Sequence, residues 1–390
     1  MTDFYLLEPI APGPAWAPFA GVRPIAELPA GIWKIRERWE AVLQRDTTAL
    51  VGDHIEHLSG LLSTPCRGLA AISGPAIVAA AWFAPSGEPI TLAPDTVRLA
   101  HEGRSVAWLV GAGETWSGPH DHGPAAPIDG VMLHGVFDVI TALERFLPED
   151  CADFLADGGD ELPAGSIVLG DPAGVICRGA LVEPGVVFDV RHGTVVLEEQ
   201  VEVRHGTRLE GPLYVAAGSR LLGSHIRASV LGPKSSVKGE LSTSVLTGYA
   251  NKSHDGFVGH SVIGHWVNLG AGTTTSNLKN TYGEVNLVVQ GTRIETGRQF
   301  LGSLIGDHAK TAIGTMLPTG TVIGAGANVF GPGAMPREIP PFAWGSAGEE
   351  MQTLDGFLKV AERVMPRRQV AFTPEIRAAL SATHRRLAQR

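Results

Sequence analysis

A chain of 390 residues, 44% of them hydrophobic, exceeds one ordinary domain and can bury more than one core. Its formal net charge of −9 argues against a nucleic-acid partner or an anionic membrane surface. Cys66, Cys151 and Cys177 lack paired or metal-ligand spacing, and neither a signal peptide nor a membrane-length apolar run is evident, so a cytoplasmic protein is expected.

Aromatic residues are sparse, while Gly (49) and Pro (27) are abundant, which favours short strands and tight turns. Residues 1–160 have the texture of an α/β domain. Phe4–Leu7, Ala49–Val51 and Ile77–Phe83 read as buried strands, and Ile32–Leu43 carries a helical stripe through Ile35, Trp39, Val42 and Leu43. A second helix is expected over Phe137–Phe146, followed by a Gly-containing acidic linker at 156–165.

From residue 165 to about 335 the apolar interval becomes six: Leu197, Val203, Leu209, Val215, Leu221; then Phe257, Ile263, Leu269; then Ile305, Leu317, Ile323, Val329, with Thr311 filling one step. Six is neither a helix nor a strand period. With Ile-Gly pairs such as Ile263-Gly264 and Ile305-Gly306, it is the hexapeptide pattern of a left-handed parallel β-helix, an all-β prism with Gly and Asn at corners that bulkier residues resist. Flat faces of such prisms pack on one another, so a homotrimer is expected. The phase is lost over Asn277–Gly291, which must leave the prism, and resumes near Leu304. After Val329 a Pro-rich exit, GPGAMPREIPPFAWGS (331–346), should end the ladder, and the C-terminal segment 336–390 continues from it into helices over 349–364 and 374–389.

The run GYANKSHDGFVGHSVIGHWVNLGAGTTTSNLKNTYG (248–283) resembles the acetyltransferase half of the bifunctional N-acetylglucosamine-1-phosphate uridyltransferase/glucosamine-1-phosphate acetyltransferase family. VRPIAELPAGIWKIRERWE (22–40) and AERVMPRR (361–368) are similar to the two ends of a bacterial branch with a short, divergent sugar-nucleotidyltransferase domain in front. The resemblance implies an N-acetyltransferase that uses acetyl-CoA on an amino-sugar phosphate such as glucosamine 1-phosphate, in nucleotide-sugar and cell-envelope precursor synthesis.

In that family the histidine matching His254 is the general base. An ammonium has no lone pair to attack with, and a neutral imidazole can remove its proton. Asn268 matches a sugar ligand, although asparagine also suits a left-handed corner. Asn277 matches an asparagine near the acetyl group, where an amide N–H could polarise the thioester carbonyl; capping the loop is its other reading. Arg227 and Lys252 are the cations for the sugar phosphate, Arg227 also reading as an exposed strand charge. Phe257 stands where the family has tyrosine, and the lysine expected one coil before Lys252 is not evident in GELSTSVLTG. Lys310, Arg293 and Arg298 are coenzyme A candidates by position only, each equally readable as a surface charge.

For the N-terminal domain the resemblance implies nucleotide contacts from Arg23 and Lys34. Lys34 is the only lysine before Lys234, so a two-lysine grip on triphosphate and sugar phosphate cannot form, and no metal aspartate can be named. Mg2+ is expected only if this domain is active. A second reading makes the chain a sugar-1-phosphate nucleotidyltransferase with the β-helix for assembly, and a third makes it a non-catalytic trimeric prism. The missing lysines oppose the second, and the excluded loop the third.

Overall fold

The structure, a computed structural model, describes residues 2–346, 348 and 350–388. Asp3–Leu7 lies within a seven-stranded sheet, parallel to Ala49–Val51 on one side and to Ala76–Ala80 on the other. Phe4, Leu6, Ile77 and Ala79 face one apolar cluster, and Tyr5, Leu7 and Val78 face another. Cover on both faces explains why these strands are continuous apolar runs without alternation. The expected strand Ile77–Phe83 is in fact two: Phe83–Pro85 turns away to pair with Gly130–Met132.

Helix α1 (Ile35–Leu43) buries Ile35, Trp39, Val42 and Leu43. Helix α2 (Asp138–Asp153) runs well past Phe146. Asp150 interrupts the apolar stripe but not the buried face, because its carboxylate pairs with Arg38 and accepts the N–H of Ile32. All three cysteines are free and buried, and burial pushes the Cys66 thiol up to about 12 and that of Cys177 to about 11.

From Ile167 the chain winds into a parallel β-helix of three faces. The first face carries Val187–Asp189, Arg208–Glu210 and their successors, the second is a nine-stranded parallel sheet from Val175–Cys177 to Glu338–Ile339, and the third includes Asn251–Lys252 and Asn268–Leu269. Val203, Leu209, Val215 and Leu221 point inward with no exposed surface, in one lumen cluster. One step of the six-residue reading fails. Val258, not Phe257, is the inward residue, in register with Leu241, so Phe257 stands on the outside of the first face.

The corners also depart from expectation. Between the second and third faces the corner residue comes three positions after the inward Leu246, Ile263, Ile305 and Ile339, and it is Tyr249, Trp266, His308 and Phe342, with φ from 55° to 63°. Bulky residues tolerate this left-handed backbone because their rings cover one another: Tyr249 and Trp266 stack at 4.3 Å between centroids, and His308 follows. Helices α3 (Leu354–Val364) and α4 (Pro374–Leu387), capped by the hydroxyls of Thr353 and Thr373, lie over this column, with Phe357, Met365 and Leu380 in its cluster. The first helix starts later than 349 because Glu350–Met351 forms a strand against Ala343–Trp344; Gln389, at the end of the second expected helix, lies outside the described residues.

The Pro-rich exit does not end the ladder. Glu338–Ile339 continues the second face and Trp344 pairs with Asn328 on the third, because Pro340 and Pro341 fall between the two strands, where no ladder N–H is needed. The second face is itself covered. Its outward Val196, Val230, Val245, Val262, Leu304 and Val322 belong to the same cluster as Leu147 and Phe154 of the N-terminal domain. The buried Arg23–Asp307 pair, 2.7 Å, joins the same two regions. No helix among the described residues is long and apolar enough to cross a membrane.

Candidate active site

His254 is exposed, at the turn between the third-face strand Asn251–Lys252 and the first-face strand Phe257–Gly259. Its main chain is held from inside: the Lys252 ammonium donates to the His254 carbonyl at 3.0 Å and to that of Lys238 at 2.7 Å. Lys252 occupies an inward register position, opposite Val237, and is only 3% exposed. Burial pushes its pKa down to about 8. The expectation that it grips phosphate is therefore corrected, since its amine is directed to backbone carbonyls within the prism.

A cation does stand nearby. Val237 pairs with Lys252, so Lys238 falls one coil before Ser253, half exposed and 3.6 Å from Asp255. Sequence reasoning looked for a lysine in GELSTSVLTG, which begins at the residue immediately after Lys238. Counting coils from the inward Val237 would have found it.

Asn268 lies in a third-face strand without the left-handed backbone of a corner. It accepts from Asn251 Nδ2 at 2.8 Å, and Asn251 in turn accepts from Ser253 Oγ at 2.6 Å, so a hydrogen-bonded chain links Asn268 to the residue before His254. Lys310 is next in register on the same face, its amine on the His308 carbonyl at 3.0 Å and its pKa pushed down by burial to about 8.

On the first face, Arg227 is exposed and donates from Nε to Ser242 Oγ at 2.9 Å, and Ser242 is in register with Gly259. Phe257 and Asn277 crowd the same spot from two sides: a Cβ added at Gly259 would lie 2.4 Å from Phe257 Cζ and 2.7 Å from Asn277 Nδ2. The structure thus gathers Arg227, Phe257 and Asn277 on one face. His254 is at its opposite edge, about 10 Å away by the rise of a three-residue strand.

The excluded segment is longer than the sequence suggested. It leaves at Asn277, forms the hairpin Val285–Val289/Thr292–Arg298 around Gly291, and returns where Leu301 N bonds to Asn277 O and Gly302 N to His260 O. Arg298 makes two 2.8 Å bonds to the Glu144 carboxylate of α2 and another to Thr141, so it ties the hairpin to the N-terminal domain and is not free for coenzyme A. Arg293 is exposed on the hairpin.

Arg23 and Lys34 border a cavity of about 320 Å³ between the N-terminal domain, the aromatic column and α4. Both are engaged, Arg23 with Asp307 and Lys34 with Glu27 at 2.7 Å. Glu8, just after the first strand, accepts the N–H groups of Ile25 and Ala26 on its two carboxylate oxygens. Among the described residues no group of three or more His, Cys, Asp or Glu side chains could hold a metal.

Residues 14–88 match the family described as sugar nucleotidyl transferase. The chain is 39% identical over 147 residues to a Sulfurisphaera tokodaii protein named bifunctional sugar-1-phosphate nucleotidylyltransferase/acetyltransferase, a match covering 37% of this chain and 36% of that protein. It is 35% identical over 95 residues to a Methanococcus vannielii bifunctional protein GlmU, covering 24% and 22% of the two chains. The matches thus span little more than a third of these relatives' length at most. At this modest identity they relate the N-terminal region to the sugar nucleotidyl transferases and the chain to bifunctional sugar-1-phosphate nucleotidylyltransferase/acetyltransferases.

Proposed function

We propose that the chain is a transferase that moves the acetyl group of acetyl-CoA to the amine of an amino-sugar phosphate of the glucosamine 1-phosphate type. The observation that carries this reading is the arrangement around the first face: an exposed imidazole on a backbone held from within, an amide at the opposite edge, and Arg227 and Lys238 as cations for phosphate. His254 takes the proton from the substrate ammonium, and the amine then attacks the thioester carbonyl. A carbon–nitrogen bond forms while an Asn277 N–H stabilises the developing oxyanion. The carbon–sulfur bond then breaks, and the coenzyme A thiolate leaves and takes up a proton. The test is thiol release from acetyl-CoA against a panel of amino-sugar phosphates and nucleotides; no release with any of them overturns the reading.

Assembly as a homotrimer in the cytoplasm belongs to the same proposal. Its support is the exposed apolar set Ile313, Met316, Phe330 and Trp344 on the β-helix, with the second face already covered. A second activity, nucleotidyl transfer with Mg2+, is favoured by the family match over 14–88 and the names of the relatives. The ion pairs of Arg23 and Lys34 weigh against it. Incubation with nucleoside triphosphate, magnesium and sugar 1-phosphates is expected to release pyrophosphate slowly or not at all, and a rapid rate that survives His254→Ala would reverse the ranking.

A further inference from the structure

Asn277 Nδ2 lies 2.8 Å from Nδ1 of His260, the corner residue that follows Gly259. The side-chain amide has two unlike ends, and only the N–H end can stabilise a negative oxygen. We propose that His260 is a positioning residue for acyl transfer, its Nδ1 accepting from Asn277 Nδ2 so that the second N–H of that amide, and not its oxygen, is presented to the thioester carbonyl. The inference rests on the acetyl-transfer reading and adds to it the residue that selects the amide's orientation.

Geometry holds both partners. The returning end of the excluded segment bonds to the carbonyls of Asn277 and His260. The His260 ring stacks on Phe300 at 5.2 Å between centroids. Gly259 leaves the space the amide occupies, since a Cβ there would come within 2.7 Å of Nδ2.

The acceptor role needs a neutral ring with its hydrogen on Nε2. Burial pushes the His260 pKa down to about 4; Glu144 of α2 opposes this, while Arg298 of the hairpin and Arg227 of the first face add to it. The ring therefore stays an acceptor from mildly acidic pH upward.

The experiment measures kcat and KM for acetyl-CoA and glucosamine 1-phosphate in wild type, His260→Ala, His260→Asn, Asn277→Ala and the His260→Ala/Asn277→Ala double variant. Alanine suits the backbone, because Ala228 holds the same corner two coils earlier at φ 45°. In asparagine, Oδ1 is separated from Cβ by the same bonds as Nδ1 of histidine, so it can accept in the same place. His260→Ala should lose about 10- to 100-fold in kcat, part of the value of one oxyanion donor, with KM changed less than about threefold. His260→Asn should recover most of that loss, and the double variant should be no slower than Asn277→Ala alone, because the histidine acts only through the amide. Unchanged kcat in His260→Ala, failure of asparagine to restore it, or a further loss in the double variant overturns the inference while leaving acetyl transfer standing. Absence of transfer in the wild type overturns the reading beneath it and this inference with it.

Discussion

Replacing His254 by alanine is expected to lower kcat for acetyl transfer by about 10²–10⁴-fold, the usual worth of a positioned general base, with little change in KM. The fold should survive, because the Lys252 bond to residue 254 is made to the main-chain carbonyl, which alanine keeps. Alkaline pH should partly rescue the variant by supplying free amine. Asn277→Ala should be slow at every pH, because it removes stabilisation of the oxyanion and not proton acceptance. Profiles of kcat against pH for the three proteins separate the roles, and an unchanged His254→Ala rate removes the base assignment.

The second large effect is on stability. Lys252 has its pKa pushed down to about 8 by burial, against 10.5 for the ordinary side chain. Between those pH values the unfolded chain holds a proton that the folded chain has released, so stability rises with pH. The contribution is fully present above 10.5 and is lost as pH falls through 8. At about 1.4 kcal/mol per unit it amounts to roughly 3 kcal/mol. The raised thiols of Cys66 and Cys177 act in the opposite sense above pH 9, so the useful measurement is wild type against Lys252→Met, in which the cysteine contributions cancel. In urea denaturation from pH 7.5 to 10.5 the wild type should gain about 3 kcal/mol on the variant. Parallel curves would mean that the ammonium is not buried as described. The variant also leaves the Lys238 and His254 carbonyls without their donor and so should loosen the corner that carries the base.

The period of six was readable because each inward position of a narrow prism admits only an apolar side chain, as at Val203, Leu209, Val215 and Leu221. It failed at Phe257, where one residue fewer separates Val258 from Ile263 and puts the aromatic ring outside. Residue type alone could not place Lys252 or Lys238, since inward and outward lysines look alike until the coils are counted. The aromatic corners were hidden for another reason: the penalty of a left-handed Trp266 is local, whereas the stacking that offsets it comes from Tyr249, seventeen positions earlier. His260 became visible only once Asn277 had been brought beside it by the loop's return.

The shared cluster beneath the second face bears on how such a chain can be dissected and how it can evolve. A β-helix cut free near residue 165 would bare an unbroken stripe of Val196, Val230, Val245, Val262, Leu304 and Val322, so the excised half should be prone to aggregate. The two halves should also melt together and not in succession. An N-terminal domain bound in this way cannot be discarded even if it catalyses nothing. Substitutions at Arg23 that break its pair with Asp307 should therefore weaken both halves together.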